Sequence, residues 1–239
     1  MYDNSLSNKL EQTVLKVYQA IDKRNLDNWR HHNEQSLWYE LVACILGSKV
    51  PFEHAQASAT NLQARELLNV EDCLRNCLQF ETRIAEALSV PMFSRSIPER
   101  TWRYRYPRLR ANHIRRTAEL VYQNHGSLRA ILEAGKDNPR DARVGIMDAS
   151  VGLGPKQSSL FLRNIGYTDN LAILDTHVLR YMFLLGILQV RTQVLSTLSR
   201  YQEAEERLRT YTKRLGVSLA YLDTAVWVTM RVFQRESAV

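Results

Sequence analysis

Val151-Gly152-Leu153-Gly154-Pro155-Lys156-Gln157-Ser158-Ser159-Leu160-Phe161-Leu162-Arg163-Asn164-Ile165-Gly166 is the stretch on which the reading of this chain turns. Two glycines separated by one residue and followed at once by proline make a tight turn. Glycine accepts left-handed backbone angles, and proline suits the first position of a helix. The turn therefore links a helix ending near Ser150 to one running from Pro155 to Ile165, a helix-hairpin-helix over residues 141–166. Ser158 and Ser159 are small, so the two helices can approach closely on that side. Backbone N–H groups in such a turn are free, and beside a helix N-terminus they bind phosphate without reading base sequence. Gly152 and Gly154 are candidate DNA contacts on this ground, although Gly-x-Gly alone serves as often for a plain turn.

Lys156 falls in the first turn of the second helix, where the positive end of the helix dipole acts against an ammonium ion. An amine without its extra proton is a nucleophile, able to attack a sugar C1′ and hold the product as a Schiff base. Most lysines are merely solvated, so this chemistry needs a partner. Nineteen residues later Asp175 follows the apolar run Leu171–Leu174 and precedes a helix expected over Thr176–Leu185, an N-cap position. Capping alone explains an aspartate there. It also fixes the carboxylate while leaving one oxygen for chemistry.

Outward from this segment the pattern stays helical. Leu10, Val14, Val17, Tyr18 and Ile21 form one stripe, and Trp38, Leu41, Val42, Ile45 and Leu46 form another that closes at Gly47. Further helices are expected at Pro51–Leu68, Glu71–Gln79, Glu81–Leu88, Pro107–Tyr122, Ser127–Ala134, Asp137–Ser150, about Thr192–Gly216 and Ser218–Gln234. The 239 residues contain only 9 Gly and 6 Pro, and no repeat or long linker divides them. The expected fold is all-α, one compact helical unit over 1–239.

Apolar residues make up 45% and charged residues 24%, an ordinary globular balance that excludes a fibre or a disordered chain. The most apolar run, Leu171–Leu188, is interrupted by Asp175, His177 and Arg180, so no membrane span is expected. The first residues have neither the basic nor the apolar region of a signal peptide, which points to the cytoplasm or nucleoid. Formal charge is +7, carried by 25 arginines against 7 lysines. Arginine forks grip phosphate at two points, so the expected partner is a polyanion, nucleic acid first. Ser94–Arg116 concentrates this tendency, with eight arginines, one acid (Glu99) and the aromatics Trp102, Tyr104 and Tyr106. Arg105, Arg108 and Arg110 are candidate phosphate contacts, and the aromatics candidate base-stacking groups. Cys73 and Cys77 would share a helix face at i, i+4, but no second Cys or His pair lies near, so no metal site is expected.

Gly152-Leu-Gly-Pro-Lys156 with Asp175 in Leu-Asp-Thr-His-Val-Leu-Arg resembles the helix-hairpin-helix DNA glycosylases, and most closely their type 2 8-oxoguanine DNA glycosylase/lyase group. Lys156-x-x-Ser-x-Phe-Leu-Arg-Asn-x-Gly166 is close to that group's own wording, and Leu219-Ala-Tyr-Leu-Asp-Thr-Ala-Val-Trp227 is similar to its terminal helix. Weaker echoes at Leu41–Ala57 and Arg110-Ala111 extend the resemblance to about residues 36–234. It implies a two-lobed helical bundle with a DNA-binding cleft between the lobes, and a bifunctional enzyme acting on a base flipped from duplex DNA. Lys156 would displace the base at C1′ and Asp175 would stabilise the cationic sugar. Gly152 and Gly154 would hold a phosphate, with a monovalent cation as an option on their carbonyls. Asp223 and Trp227 fall at positions near the base pocket, and Lys49 where relatives place a residue that fills the gap left by the flipped base. Leu160 stands where the group often has His, and Pro155 and Gln157 also depart from its pattern. Excision of another modified base, for instance one carried by foreign DNA, and a catalytically silent DNA-binding module therefore stay open. No cysteine follows Cys77, which leaves no ligands for the C-terminal four-cysteine iron-sulfur loop of many relatives. The expectation is a monomer without a cofactor.

Overall fold

The computed structural model describes residues 4–21, 29–93, 101–189, 195 and 197–236. Its elements are helices apart from one pair of two-residue strands, β1 (Met92–Phe93) and β2 (Thr101–Trp102), joined antiparallel. The chain folds as two compact units: one is Asn28–Ile165, and the other is made of both chain ends, Met1–Asp27 with Gly166–Val239. The sequence reading is of two lobes within one unit over 1–239. The pairing of the chain ends involves residues about two hundred positions apart, which no local pattern announces.

The first unit is organised on α2 (Glu34–Leu46). Asn33 caps it by accepting from the Ser36 amide, and eight of its residues, Leu37, Trp38 and Leu41 through Leu46, are buried. A helix apolar on nearly every face belongs in the middle of a bundle. Around it pack α3 (Phe52–Ala64), α6 (Pro107–Glu119), α7 (Leu128–Ala134) and α9 (Pro155–Asn164). The helix expected from Glu71 to Gln79 does not exist as one piece. Asn76, with φ −134° and ψ 57°, breaks it into α4 (Val70–Arg75) and α5 (Cys77–Ser89). Cys73 and Cys77 consequently sit on different helices rather than on one face. Burial first, then Cys77, pushes the Cys73 thiol up to about 12. α8 (Pro139–Asp148) opens on an Asn138 cap and packs against α9, so the helix-hairpin-helix begins two residues before the expected boundary.

In the second unit α1 (Asn4–Ala20) packs along α12 (Leu219–Glu236), which also meets α10 (Thr176–Leu184) and α11 (Leu198–Leu215). Leu10 and Val14 join Val178, Tyr181, Met182, Tyr201, Leu208, Leu222, Val226 and Met230 in one core. α11 opens where the Thr197 side chain accepts from the Arg200 amide and closes at Gly216 in the left-handed region. The expected opening near Thr192 lies outside the described residues. Among the described residues no helix is long and apolar enough to cross a membrane.

Candidate active site

The hairpin is shaped by a glycine whose backbone and surroundings both disfavour a side chain. Gly152 has φ +78°, and a Cβ on it would lie 2.3 Å from His113 Nδ1. His113 is itself held, because Arg110 donates to its Nδ1 at 2.9 Å. The Val151 amide donates to Thr117 Oγ1 at 2.9 Å and fastens the turn to α6. Gly154 differs from Gly152: its backbone is extended and a Cβ would meet nothing within 4 Å. It is the N-cap of α9 and has no side chain to cap with, so the Lys156 and Gln157 amides find no acceptor among the described residues. Exposed glycines and uncapped amides at a helix N-terminus make an anion seat.

Lys156 is half-buried in the first turn of α9, and its Nζ donates to Gln157 Oε1 at 3.2 Å. Gln157 is 6% exposed, and its Nε2 donates to the Cys44 carbonyl at 3.0 Å. That carbonyl belongs to the last turn of α2, whose terminal carbonyls have no partner within the helix. Each is supplied from elsewhere: Ala43 by the Gly47 amide, Cys44 by Gln157, Ile45 by the Ser48 amide, and Leu46 by the Tyr104 hydroxyl at 2.6 Å. The Ser48 carbonyl receives Arg110 at 2.8 Å, and the next residue, Lys49, is exposed with φ +61°. A left-handed lysine is uncommon, and such strained positions concentrate at functional sites.

The basic segment divides more finely than its composition implied. Its residues 94–100, with Arg95, Arg100 and Glu99, lie outside the described residues. Arg105 and Arg108 are exposed, as are Arg103 and Arg116. Arg110, also expected to contact phosphate, differs from them: it is 4% exposed, and its two terminal guanidinium nitrogens donate to His113 and the Ser48 carbonyl. Arg115 is likewise paired, with Glu81 and Glu119 at 2.6 Å each. Nor are the aromatics all free for bases. Tyr104 is 3% exposed, and Trp102 lies flat against His54 with ring centroids 3.9 Å apart. Their alternation with arginine reflects packing, not an open stacking ladder.

Asp175 is fixed as its sequence position implied. Oδ1 accepts from both the His177 and Val178 amides at 2.9 Å, and Oδ2 makes no hydrogen bond among the described residues. The segment leading to it is gripped amide by amide. The Ala172 amide donates to Glu205 Oε1 at 2.9 Å, that of Ile173 to Asp223 Oδ2 at 2.8 Å and that of Leu174 to Tyr201 Oη at 3.1 Å. Asp223, expected at the base pocket, is 3% exposed and accepts from this Ile173 amide. Trp227 is half-buried, with the Arg231 guanidinium 4.5 Å over its ring. Sequence reasoning passed over Tyr201, Glu205, His113 and Gln157 as working residues. Only Gln157, directly after Lys156, carried any signal, as a departure from the family wording.

The 8-oxoguanine DNA glycosylase family model matches residues 74–217, more than half the chain. This chain belongs to the 8-oxoguanine DNA glycosylase family. The 8-oxoguanine DNA glycosylase/AP lyase of Korarchaeum cryptofilum is 30% identical over 217 residues, covering 89% of this chain and 88% of that protein. The one from Sulfurisphaera tokodaii is also 30% identical, over 89% of each chain. The crystal structure of Methanocaldococcus jannaschii 8-oxoguanine DNA glycosylase matches the fold with a TM-score of 0.66 at 23% identity, covering 93% of this chain and 92% of that one. The family match takes in the hairpin, Lys156 and Asp175, and stops short of Asp223 and Trp227.

Proposed function

We propose that this chain is a DNA glycosylase with AP lyase activity that removes 8-oxoguanine from duplex DNA. The observation that carries the reading is Lys156 itself, a half-buried lysine whose amine is held on a neutral side-chain oxygen in the first turn behind a phosphate-binding hairpin. On a base swung out of the duplex, the Lys156 amine attacks C1′ and the bond from C1′ to the base nitrogen breaks. The base leaves with the bonding pair and takes up a proton. Asp175, through the oxygen its cap leaves open, stabilises the positive charge that develops on the sugar. Loss of the amine protons and opening of the sugar ring produce the Schiff base. Removal of a 2′ proton then expels the 3′ phosphate by β-elimination, and water releases the lysine.

Gly152 and Gly154 seat the backbone phosphate, with Arg105 and Arg108 as exposed phosphate contacts. Lys49, exposed on its strained turn, fills the gap left by the flipped base, and Trp227 stacks on the base. The hairpin residues 151–154 offer neutral carbonyls and no carboxylate, a donor set that suits a monovalent cation. Such an ion on the Gly152 and Gly154 carbonyls would add attraction for the phosphate. Among the described residues no group of three or more His, Cys, Asp or Glu is placed to hold a metal. The enzyme acts as a monomer, in the cytoplasm on nucleoid DNA.

The test is borohydride trapping on a duplex with one 8-oxoguanine, beside a panel of duplexes carrying other modified bases. Wild-type protein should be trapped on the 8-oxoguanine duplex. Lys156→Gln should abolish trapping and strand cleavage while keeping duplex affinity within a few-fold. Trapping by Lys156→Gln would assign the nucleophile elsewhere, and preference for another base would move the substrate.

A further inference from the structure

The side chain that presents the Lys156 amine is its own neighbour. Adjacent residues on a helix normally point apart, yet Lys156 Nζ and Gln157 Oε1 lie 3.2 Å from one another. Gln157 can do this because its other end is tied down. Its Nε2 donates to the Cys44 carbonyl at 3.0 Å, and the side chain is 6% exposed. The space around Nε2 is confined, since a Cβ on Gly47 would lie 3.2 Å from it. A carbonyl can only accept, so the amide nitrogen must face Cys44 and the amide oxygen must face the lysine.

We propose that Gln157 is a positioning residue for the nucleophile: anchored on the end of α2, it holds one N–H of the Lys156 amine and so sets where the lone pair points. This rests on the reading of Lys156 as the Schiff-base lysine. A neutral amine keeps two N–H bonds and one lone pair. Donating one N–H to a fixed oxygen stops free rotation and leaves the lone pair available for C1′. An amide suits the task better than a carboxylate would. It accepts the N–H without adding a negative charge that favours the unreactive ammonium form, and it has the donor that the Cys44 carbonyl requires. Burial first, and Glu40 second, push the Cys44 thiol well above its ordinary value, so the thiol stays neutral and brings no competing charge.

Two variants separate this role from simple support of α9, with single-turnover trapping and cleavage of the 8-oxoguanine duplex measured against pH. Gln157→Met fills the same space but offers the amine no oxygen. It should slow Schiff-base formation about tenfold at every pH, with duplex affinity unchanged. Gln157→Glu loses the same anchor but keeps an acceptor beside the amine. Its acidic limb should move up by about one pH unit, with the rate at high pH recovering to within a few-fold of wild type. Melting curves of both variants should report the common loss of the Cys44 contact. Equal rate losses in the two variants with unmoved pH limbs would make Gln157 only a support and overturn the proposal, as would wild-type rates in both. Failure of the wild-type protein to be trapped would instead overturn the reading of Lys156, and the proposal with it.

Discussion

Replacing Asp175 by asparagine separates its two duties. Asparagine caps about as well as aspartate, so the amides of His177 and Val178 keep their acceptor and α10 should be retained. What is lost is the negative charge that the proposed mechanism sets against a cationic sugar. Asp175→Asn should melt within about a degree or two of wild type and excise the base on the order of a hundredfold more slowly. The hairpin glycines can be parted in the same manner. Gly152→Ala meets both a left-handed backbone and the pinned His113 ring, at a cost of about 1–3 kcal/mol that a melting curve would register. Gly154→Ala meets neither obstacle. If the hairpin seats a phosphate as proposed, its methyl would stand in the way, so it should leave the melting temperature in place and weaken duplex binding. Equal destabilisation by both substitutions would remove the distinction.

At the level of the element, the end of α2 is where the site is assembled. Tyr104, Gln157 and Arg110 each end on one of its terminal or following carbonyls, and through them the basic segment, α9 and the Lys49 turn share one reference point. Arg110 also reaches His113, and this joint is sensitive to acid. Burial first, then Arg110 and Arg116, hold His113 below its ordinary 6.5. In the folded protein its ring is neutral and accepts from Arg110, whereas in the unfolded chain it gains a proton as pH falls through about 6.5. Unfolded chains then bind more protons, so stability declines from there down to the lowered folded value and levels off below it. Melting temperatures taken between about pH 7.5 and 5 should show this decline. His113→Gln keeps an acceptor for Arg110 without titrating, and should flatten that part of the curve. An unchanged decline in the variant would assign it to other groups.

For the whole molecule, duplex binding should be steeply dependent on salt, because neutralising about five phosphates makes log K fall with log salt at a slope near −4 to −5. The exposed arginines should set that slope. Arg105→Gln and Arg108→Gln should each reduce it by about one, whereas Arg110→Met should lower the melting temperature and leave it unchanged, since that guanidinium is already engaged inside the protein. Slopes measured from about 50 to 200 mM salt decide the matter. A reduced slope in Arg110→Met would return it to the phosphate contacts.

Helical periodicity, the Gly-x-Gly-Pro turn and the Asp175 cap were legible without coordinates, because each depends on neighbours within one or two turns of chain: backbone sterics, the rigid proline ring and a side chain reaching its own following amides. The same locality made Lys156 and Asp175 visible as a pair at family spacing. The break at Asn76 was not legible, since the apolar pattern continues across it. Composition also could not sort the arginines. Arg105, Arg108 and Arg110 read alike in the chain, and only packing against Ser48 and His113 takes the third out of solvent. Asp223 was placed by a sequence match, but its partner amide at Ile173 is fifty residues away. Gln157 acquires its task from Cys44, more than a hundred residues upstream. The sequence by itself determined most of the helices, the hairpin turn and the candidate reactive pair. Which polar side chains work within the fold and which face outward was decided by tertiary structure, because a buried carbonyl or amide must find a partner wherever the fold brings one.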